Sequence, residues 1–367
     1  MRAIGLAPLL LTAQPRHNPI TLLSSTSSTP LVVVLDYDGV CCDSEAELTR
    51  AAWRTALNLW PDTVAQCRTV SHLMDESAYV DRRRLGGKPL VGLGDDDIPN
   101  WLAQKLRLLR PLMTSPAEAL LLTRLCAEEA LSDDARKRPL TVGEISANWN
   151  AELRESLCAR YAISEPDACD AMAATREAWV ADDFDDWASS HTQYPAVFTD
   201  LREACTKSLC TKPTVYVLAQ QQDAHLAHKL LRHRGVPIEE SRVLDVGSGY
   251  STQERLNELR RMHPDATLRY VDDDVNSLLS LAEDVRLFSL EFFFASYGYS
   301  TPEQQFRAAS MPRARALGDA RELEAVLKPP RDDRKNLFKG PPRPRRSRRK
   351  RSRPEVDTDG DPDAPRA

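Results

Sequence analysis

The sequence predicts an α/β protein: a Rossmann-like parallel sheet with a large helical cap inserted after the first strand. Three observations predict it. A mostly β-branched run, Leu31-Val32-Val33-Val34-Leu35, stands alone near the start. A block of about 145 residues, rich in Leu, Ala and charged side chains, follows it. Four strand-like runs separated by helical segments come after Pro195. Strands alternating with helices imply right-handed crossovers and a parallel sheet. The simplest organisation is a core of residues 31–46 and 192–327, with a helical cap over 47–191.

Residues 1–30 contain Arg2 and Arg16 but no acid, a short apolar patch from Leu6 to Leu11, and a Ser/Thr-rich stretch from Ser24 to Thr29. An acid-free, Ser/Thr-rich leader reads as an organelle transit peptide. Chloroplast or another organelle is therefore the expected location, with a plain leader and a cytoplasmic or nuclear protein as the alternative. Pro8 interrupts the apolar patch and weakens a secretory reading. Leu31 to Leu35 is apolar at every position, as expected of a strand buried on both faces. Ser44 and Glu47 have capping-box spacing, so a helix should begin near Glu45. Trp101 to Leu109, Ala117 to Leu131 and Glu144 to Arg160 read as helices of the cap. Asp81 to Asp97, with four glycines and Asp95-Asp96-Asp97, reads as a loop. Strands are expected at Val215 to Ala219, Val243 to Val246, Leu268 to Val271 and Glu291 to Ala295, with helices at Ala224 to Arg234 and Gln253 to Met262. From Pro329 the composition changes. Arg343 to Arg353 holds eight basic residues in eleven, flanked by proline and followed by an Asp-rich end. Residues 328–367 cannot bury a core and should be disordered; a nuclear-import or RNA-contacting patch is the functional reading of the arginines.

Of the 367 residues, 42% are hydrophobic, enough for a packed core, and 6% are aromatic, too few for a surface built on stacked bases. The net charge is −5; residues 1–35 carry +2 and residues 329–367 carry +6, so residues 36–328 carry −13. That acidic body argues against nucleic-acid binding outside the tail. No apolar run approaches the ~20 residues that span a bilayer. Eight cysteines show no C-x-x-C pair and no zinc spacing, which reads as reduced intracellular thiols, with Cys41 and Cys42 as small apolar fillers.

The chemistry concentrates where the first strand ends, at Asp36-Tyr37-Asp38-Gly39-Val40. Ligands of open α/β sheets bind at the carboxyl ends of the strands. Two carboxylates there repel each other, so the site needs a cation or a shared proton. With Mg²⁺ present, one carboxylate can attack phosphorus and the other can handle the leaving-group proton. Gly39 permits the tight exit from strand to helix.

Leu35-Asp36-Tyr37-Asp38-Gly39-Val40, followed by Cys42-Asp43-Ser44, resembles motif I of the haloacid dehalogenase (HAD) superfamily. Tyr270-Val271-Asp272-Asp273-Asp274 resembles its acidic motif IV, and Tyr194-Pro195-Ala196-Val197 the turn that re-enters the core after an inserted cap. Tyr297-Gly298-Tyr299-Ser300-Thr301-Pro302-Glu303, Ala308 to Arg313, Arg110-Pro111 and Glu118 to Leu121 are similar to stretches of a plant, algal and cyanobacterial HAD-like subgroup. The resemblance spans residues 31–317. It implies a HAD core, Asp36 as nucleophile and Mg²⁺ ligand, Asp38 as general acid/base and backbone ligand, and Asp273, with Asp272 or Asp274, in the metal shell. The substrate implied is a small phosphorylated metabolite, with the cap choosing which.

Two motifs depart from the family pattern. Ala219-Gln220 stands where a Ser or Thr is expected at the end of the second strand, and Thr252 where a Lys is expected. Gly39, Ala219, Gln220 and Thr252 are then the expected substrate-side residues. A hydrogen bond to a charged group is worth about 1.5–3 kcal/mol, so losing two lowers the rate roughly 10²- to 10⁴-fold. A catalytically weakened HAD-like protein with a binding or regulatory role is the alternative. A third reading comes from Arg242-Val243-Leu244-Asp245-Val246-Gly247-Ser248-Gly249, which matches the first motif of S-adenosylmethionine-dependent methyltransferases. Tyr250 to Thr252 lack its third glycine, and too little chain follows to complete such a sheet.

Overall fold

In a computed structural model of the chain, residues 29–70, 98–131, 139–206, 212–220, 223–247 and 249–328 are described. The leader (residues 1–28), the expected loop at Asp81 to Asp97 and the tail from Pro329 lie outside them, so the readings of those segments rest on sequence alone.

Among the described residues, six parallel strands form one sheet: β1 (Leu31–Asp36), β4 (Thr214–Ala219), β5 (Val243–Asp245), β6 (Thr267–Asp272), β7 (Glu291–Ala295) and β8 (Ala314–Leu317). Their order is β5-β4-β1-β6-β7-β8. Every residue of β1 is buried, because it lies between β4 and β6 and is covered on both faces. Val33 and Leu35 pack into one apolar layer, with Val197, Leu201, Leu230 and Val236. Val32 and Val34 pack into the other, with Leu256, Leu259, Leu278 and Leu281. Continuous apolar strands are the sequence signature of a sheet sandwiched in this way.

The chain leaves the sheet through β2 (Cys42–Asp43) and comes back through β3 (Thr192–Gln193), which pair antiparallel as a two-residue ribbon. Between them lie α1 (Glu45–Leu59), α2 (Pro61–Val70), α3 (Asn100–Leu109), α4 (Pro116–Ala130), α5 (Val142–Asn148), α6 (Ala151–Tyr161), α7 (Glu165–Asp182) and α8 (Phe184–Ser189). Leu48, Trp53, Leu102, Leu106, Leu120 and Met172 form a core of their own among these helices. The remaining crossovers are α9 (Pro195–Thr206), α10 (Ala224–His233), α11 (Thr252–Met262), α12 (Val275–Glu283) and α13 (Pro302–Ala309), with α14 (Leu323–Val326) closing the described chain. No helix among the described residues is long and apolar enough to cross a membrane.

Three expectations need correcting. The sheet has a sixth strand, β8, in which Arg315 and Ala316 are exposed and only Leu317 is buried, as suits an edge position without an apolar run. The helix expected over Glu144 to Arg160 is two helices, because Asn150 caps a new one: its side chain accepts from Leu153 N. Ser44 does stand at the N-terminus of α1, but it makes no capping hydrogen bond. Its hydroxyl donates to Asp38 instead, and Glu47 pairs with Arg176. The strand expected from Val243 is present as a short edge strand, Val243–Asp245, and Gly247 and Gly249, both with positive φ, stand between it and α11, as expected.

Candidate active site

β1 and β6 run side by side in register, with Leu35 opposite Val271. Asp36 and Asp272 therefore end neighbouring strands, and Asp273 is the next residue beyond. The sheet thus brings together carboxylates separated by more than 200 positions in the sequence. One oxygen from each of Asp36, Asp272 and Asp273 lies within 4.8 Å of the others, and all three residues are buried. The Asp38 carboxylate stands outside that trio; it accepts the Ser44 hydroxyl on the way out of the turn.

The turn is held by backbone bonds. Tyr37 N donates to Leu218 O (2.9 Å), Cys41 N to Tyr37 O (2.9 Å) and Gly39 N to Cys42 O (2.8 Å). Gly39 has φ +78, and a Cβ there would stand 2.6 Å from the Asp273 carboxyl carbon and 2.9 Å from the Tyr299 ring. Gly298 faces the same group from the other side: its Cβ would stand 2.6 Å from Gly39 O. The two glycines let the β1 turn, the β6 end and the β7 exit loop close on one another.

The carboxylates are placed where their charge is costly. Burial, and then the charges of Asp272, Asp273 and Asp38, push Asp36 well above the carboxylate range; the Gln220 amide, donating at 3.0 Å, offsets part of this. Burial and the neighbouring Asp274 charge raise Asp272 to about 6, although Tyr270 Oη (2.8 Å) and Asp274 N (2.9 Å) donate to it. Asp273 is raised by burial and by Asp272; Tyr299 N (2.5 Å) and the charge of Arg110 pull the other way. Mutually repelling, hydrogen-bonded carboxylates with oxygen donors alone suit a hard divalent cation such as Mg²⁺.

The cavity over these groups measures about 50 Å³. Asp36, Asp38, Gln220, Asp272, Asp273 and Asp274 line its floor from the sheet; Arg110, Pro111, Met113 and Thr114 close it from the cap, between α3 and α4. Tyr299 and Gln304 complete it from the loop after β7 and from α13. Tyr299 ties these parts together. Its backbone N–H reaches Asp273, its hydroxyl donates to Asp43 Oδ1 (2.8 Å) and accepts from Ser44 N (2.6 Å), and its ring carries the Arg110 guanidinium at 3.8 Å. From α3, Arg107 pairs with Asp43 (3.1 Å) and Glu45 (3.2 Å), so the cap is braced on the exit ribbon as well.

Of the residues expected on the substrate side, Gln220 lines the cavity, and Gly39 stands against Asp273 beneath it. The other two are corrections. Ala219 points into the apolar layer beside Val217 and Val33, because alternate residues of a strand face opposite sides. Thr252 opens α11 and does not line the cavity; the neighbouring Ser251 is spent on a capping box with Glu254. Arg255 is likewise engaged elsewhere, on Asp245 O, Glu258 and the Tyr250 ring. Sequence reasoning missed Arg110 and Tyr299 as site residues. Both belong to stretches of family resemblance, and their roles depend on contacts across the cap-to-core boundary that no local pattern records.

No protein-family model matches this chain, and no curated protein matches it. Among solved structures, it is similar to a candidate phosphoglycolate phosphatase from Lactobacillus delbrueckii subsp. bulgaricus, at 11% identity and TM-score 0.41, over 82% of this chain and 99% of that one. It is also similar to candidate haloacid dehalogenase-like hydrolases from Burkholderia xenovorans (14% identity, TM-score 0.37, 81% and 96% covered) and Bacteroides fragilis (12%, 0.39, 80% and 99%). These likenesses are too distant to decide function, which rests on the chain's own side chains.

Proposed function

We propose that the chain is a HAD-type hydrolase: a Mg²⁺-dependent phosphohydrolase that acts on a small phosphorylated metabolite through an aspartyl-phosphate intermediate. The observation that carries this reading is the trio Asp36, Asp272 and Asp273, buried at the ends of adjacent parallel strands with donor atoms within 4.8 Å of one another. Ionised together, three such carboxylates repel one another unless a cation offsets their charge.

Asp36, Asp272 and Asp273 would hold Mg²⁺, with the backbone carbonyl of Asp38 as a further ligand. Bound there, the ion supplies charge neutralisation for the carboxylates and for the phosphoryl oxygens. The Asp36 carboxylate attacks phosphorus, the bond to the leaving oxygen breaks, and Asp38 gives that oxygen its proton. Asp38 then takes a proton from water as the water attacks the phosphorus of aspartyl-phosphate, which releases phosphate and restores Asp36. The Gln220 amide fixes the rotamer of Asp36, and the Ser44 hydroxyl orients Asp38. A cavity of about 50 Å³ has room for roughly three to five waters, which favours a small substrate over a large one.

One observation favours the alternative of a weakened, metal-binding relative with a regulatory role. Ala219 offers no hydroxyl, and Gln220 spends its amide on Asp36. The test is turnover of a panel of small phosphoesters by the full chain, with and without Mg²⁺, beside Asp36→Asn. Mg²⁺-dependent turnover abolished in Asp36→Asn is the expected result. Absence of turnover with Mg²⁺ still bound supports the alternative, and absence of Mg²⁺ binding rejects both.

A further inference from the structure

Five carboxylates line the cavity, and among its described lining residues Arg110 is the only cation. A divalent ion offsets two of those charges, and a phosphoryl group brings up to two more, so the cavity needs further positive charge to accept one. Arg110 is 3% exposed, although it comes from the cap, at the C-terminal end of α3. Its position is built: one guanidinium nitrogen donates to Met113 O (2.9 Å), and its plane rests 3.8 Å from the Tyr299 ring. Burial works against the charge, but Tyr299, Asp38 and Asp273 outweigh it and hold the proton more tightly than usual. Burying a guanidinium costs several kcal/mol unless charge and hydrogen bonds repay it, and arginine's planar fork of donors matches the geometry of phosphate oxygens.

We propose that Arg110, laid on the Tyr299 ring, is the phosphate-binding cation of this cavity, so that the cap itself completes the anion site. The inference rests on the phosphohydrolase reading for the choice of anion, and it makes Arg110 a specificity-determining residue that the sheet does not supply. Cap and core then bind the two ends of one charge pattern: the carboxylates take the cation, and Arg110 takes the phosphoryl oxygens.

The test is calorimetric titration of inorganic phosphate into the Mg²⁺-loaded full chain, with Mg²⁺ affinity measured separately in the absence of phosphate. Arg110→Met is expected to weaken phosphate binding about 10- to 100-fold, the loss of a hydrogen-bonded charge. Arg110→Lys keeps the charge without the fork and should fall between. Tyr299→Leu, which keeps the backbone N–H to Asp273, should resemble Arg110→Met. Mg²⁺ affinity should hold or rise in Arg110→Met, because a repelling cation has gone; a merely structural role would lower both affinities. Unchanged phosphate affinity in Arg110→Met, Mg²⁺ and phosphate binding lost together, or no phosphate binding by the wild-type chain would each overturn the proposal. Failure of the hydrolase reading shows differently: phosphate binding that depends on Arg110, with no phosphoester turned over.

Discussion

At the scale of single residues, the site is a compromise between packing and charge. Gly39 and Gly298 give up side chains so that Asp273 can sit between the β1 turn and the Tyr299 loop. Gly39→Ala must accept a left-handed backbone, at about 1–2 kcal/mol, and drive its methyl into the Asp273 carboxyl. The expected outcome is a protein of lower melting temperature that Mg²⁺ no longer stabilises, read by thermal unfolding with and without the ion. A Gly39→Ala protein with wild-type Mg²⁺ stabilisation would contradict this geometry. Much of this scale was legible beforehand. Asp36, Asp38, Gly39, Asp272 and Asp273 stand in local patterns, an apolar strand that ends in acids. Ala219 and Thr252 were misplaced because a motif position does not say which way a side chain points. Ala219 falls on the buried face of β4, and Thr252 opens a helix away from the cavity.

At the scale of elements, the cap is joined to the core by a two-residue ribbon and braced by buried charge. Arg176 of α7 holds Glu47 of α1 through two bonds (2.7 and 2.9 Å), and Trp187 of α8 adds a third (3.1 Å). Burial raises the Glu47 carboxyl, but Arg176, His191 and these donors outweigh burial and hold it below its ordinary value. Arg50 of the same helix pairs with Asp186 (3.0 Å) and lies over Trp179. Removing one partner of a buried pair leaves an uncompensated charge and costs about 3–5 kcal/mol. Urea unfolding of Arg176→Met should show a loss of that size, and Glu47→Leu/Arg176→Met should recover most of it. A loss under about 1 kcal/mol in the single variant would show that the pair does not brace the cap. The Ser44–Glu47 spacing placed the start of α1 correctly, at Glu45, but both side chains pair outside the capping box, Ser44 with Asp38 and Glu47 with Arg176. Helices with a strong apolar face were readable from the sequence, whereas β8, a short edge strand, carries no apolar run to announce it.

At the scale of the whole molecule, protons, a divalent ion and folding are linked through the same carboxylates. Asp36, Asp272 and Asp273 are all raised in the folded chain above their ordinary value. Their protonated forms favour folding, so the contribution is fully present below about pH 4 and is lost as pH rises through the folded values, about 6 for Asp272. On the proposed function, Mg²⁺ taken up by the ionised carboxylates of the folded chain should restore what ionisation removes. The rise in melting temperature given by Mg²⁺ should therefore be small at pH 5 and larger at pH 7.5, measured by calorimetry in matched buffers. A Mg²⁺ effect independent of pH would mean that the ion binds elsewhere. The parallel sheet and the inserted cap were foreseeable, because alternation of strands and helices is a long-range pattern written in local periodicity. The closing of Arg110 over the acids was not, because it depends on how two separately packed cores meet.

If Asp36 is the nucleophile, borohydride should trap it as its phosphorylated form. The full chain is mixed with a turned-over phosphoester and Mg²⁺, quenched with borohydride and mapped by peptide mass spectrometry. Reduction confined to Asp36, dependent on both phosphoester and Mg²⁺, is the predicted result. Turnover with Asp36 unmodified, or with the label on another carboxylate, would contradict it.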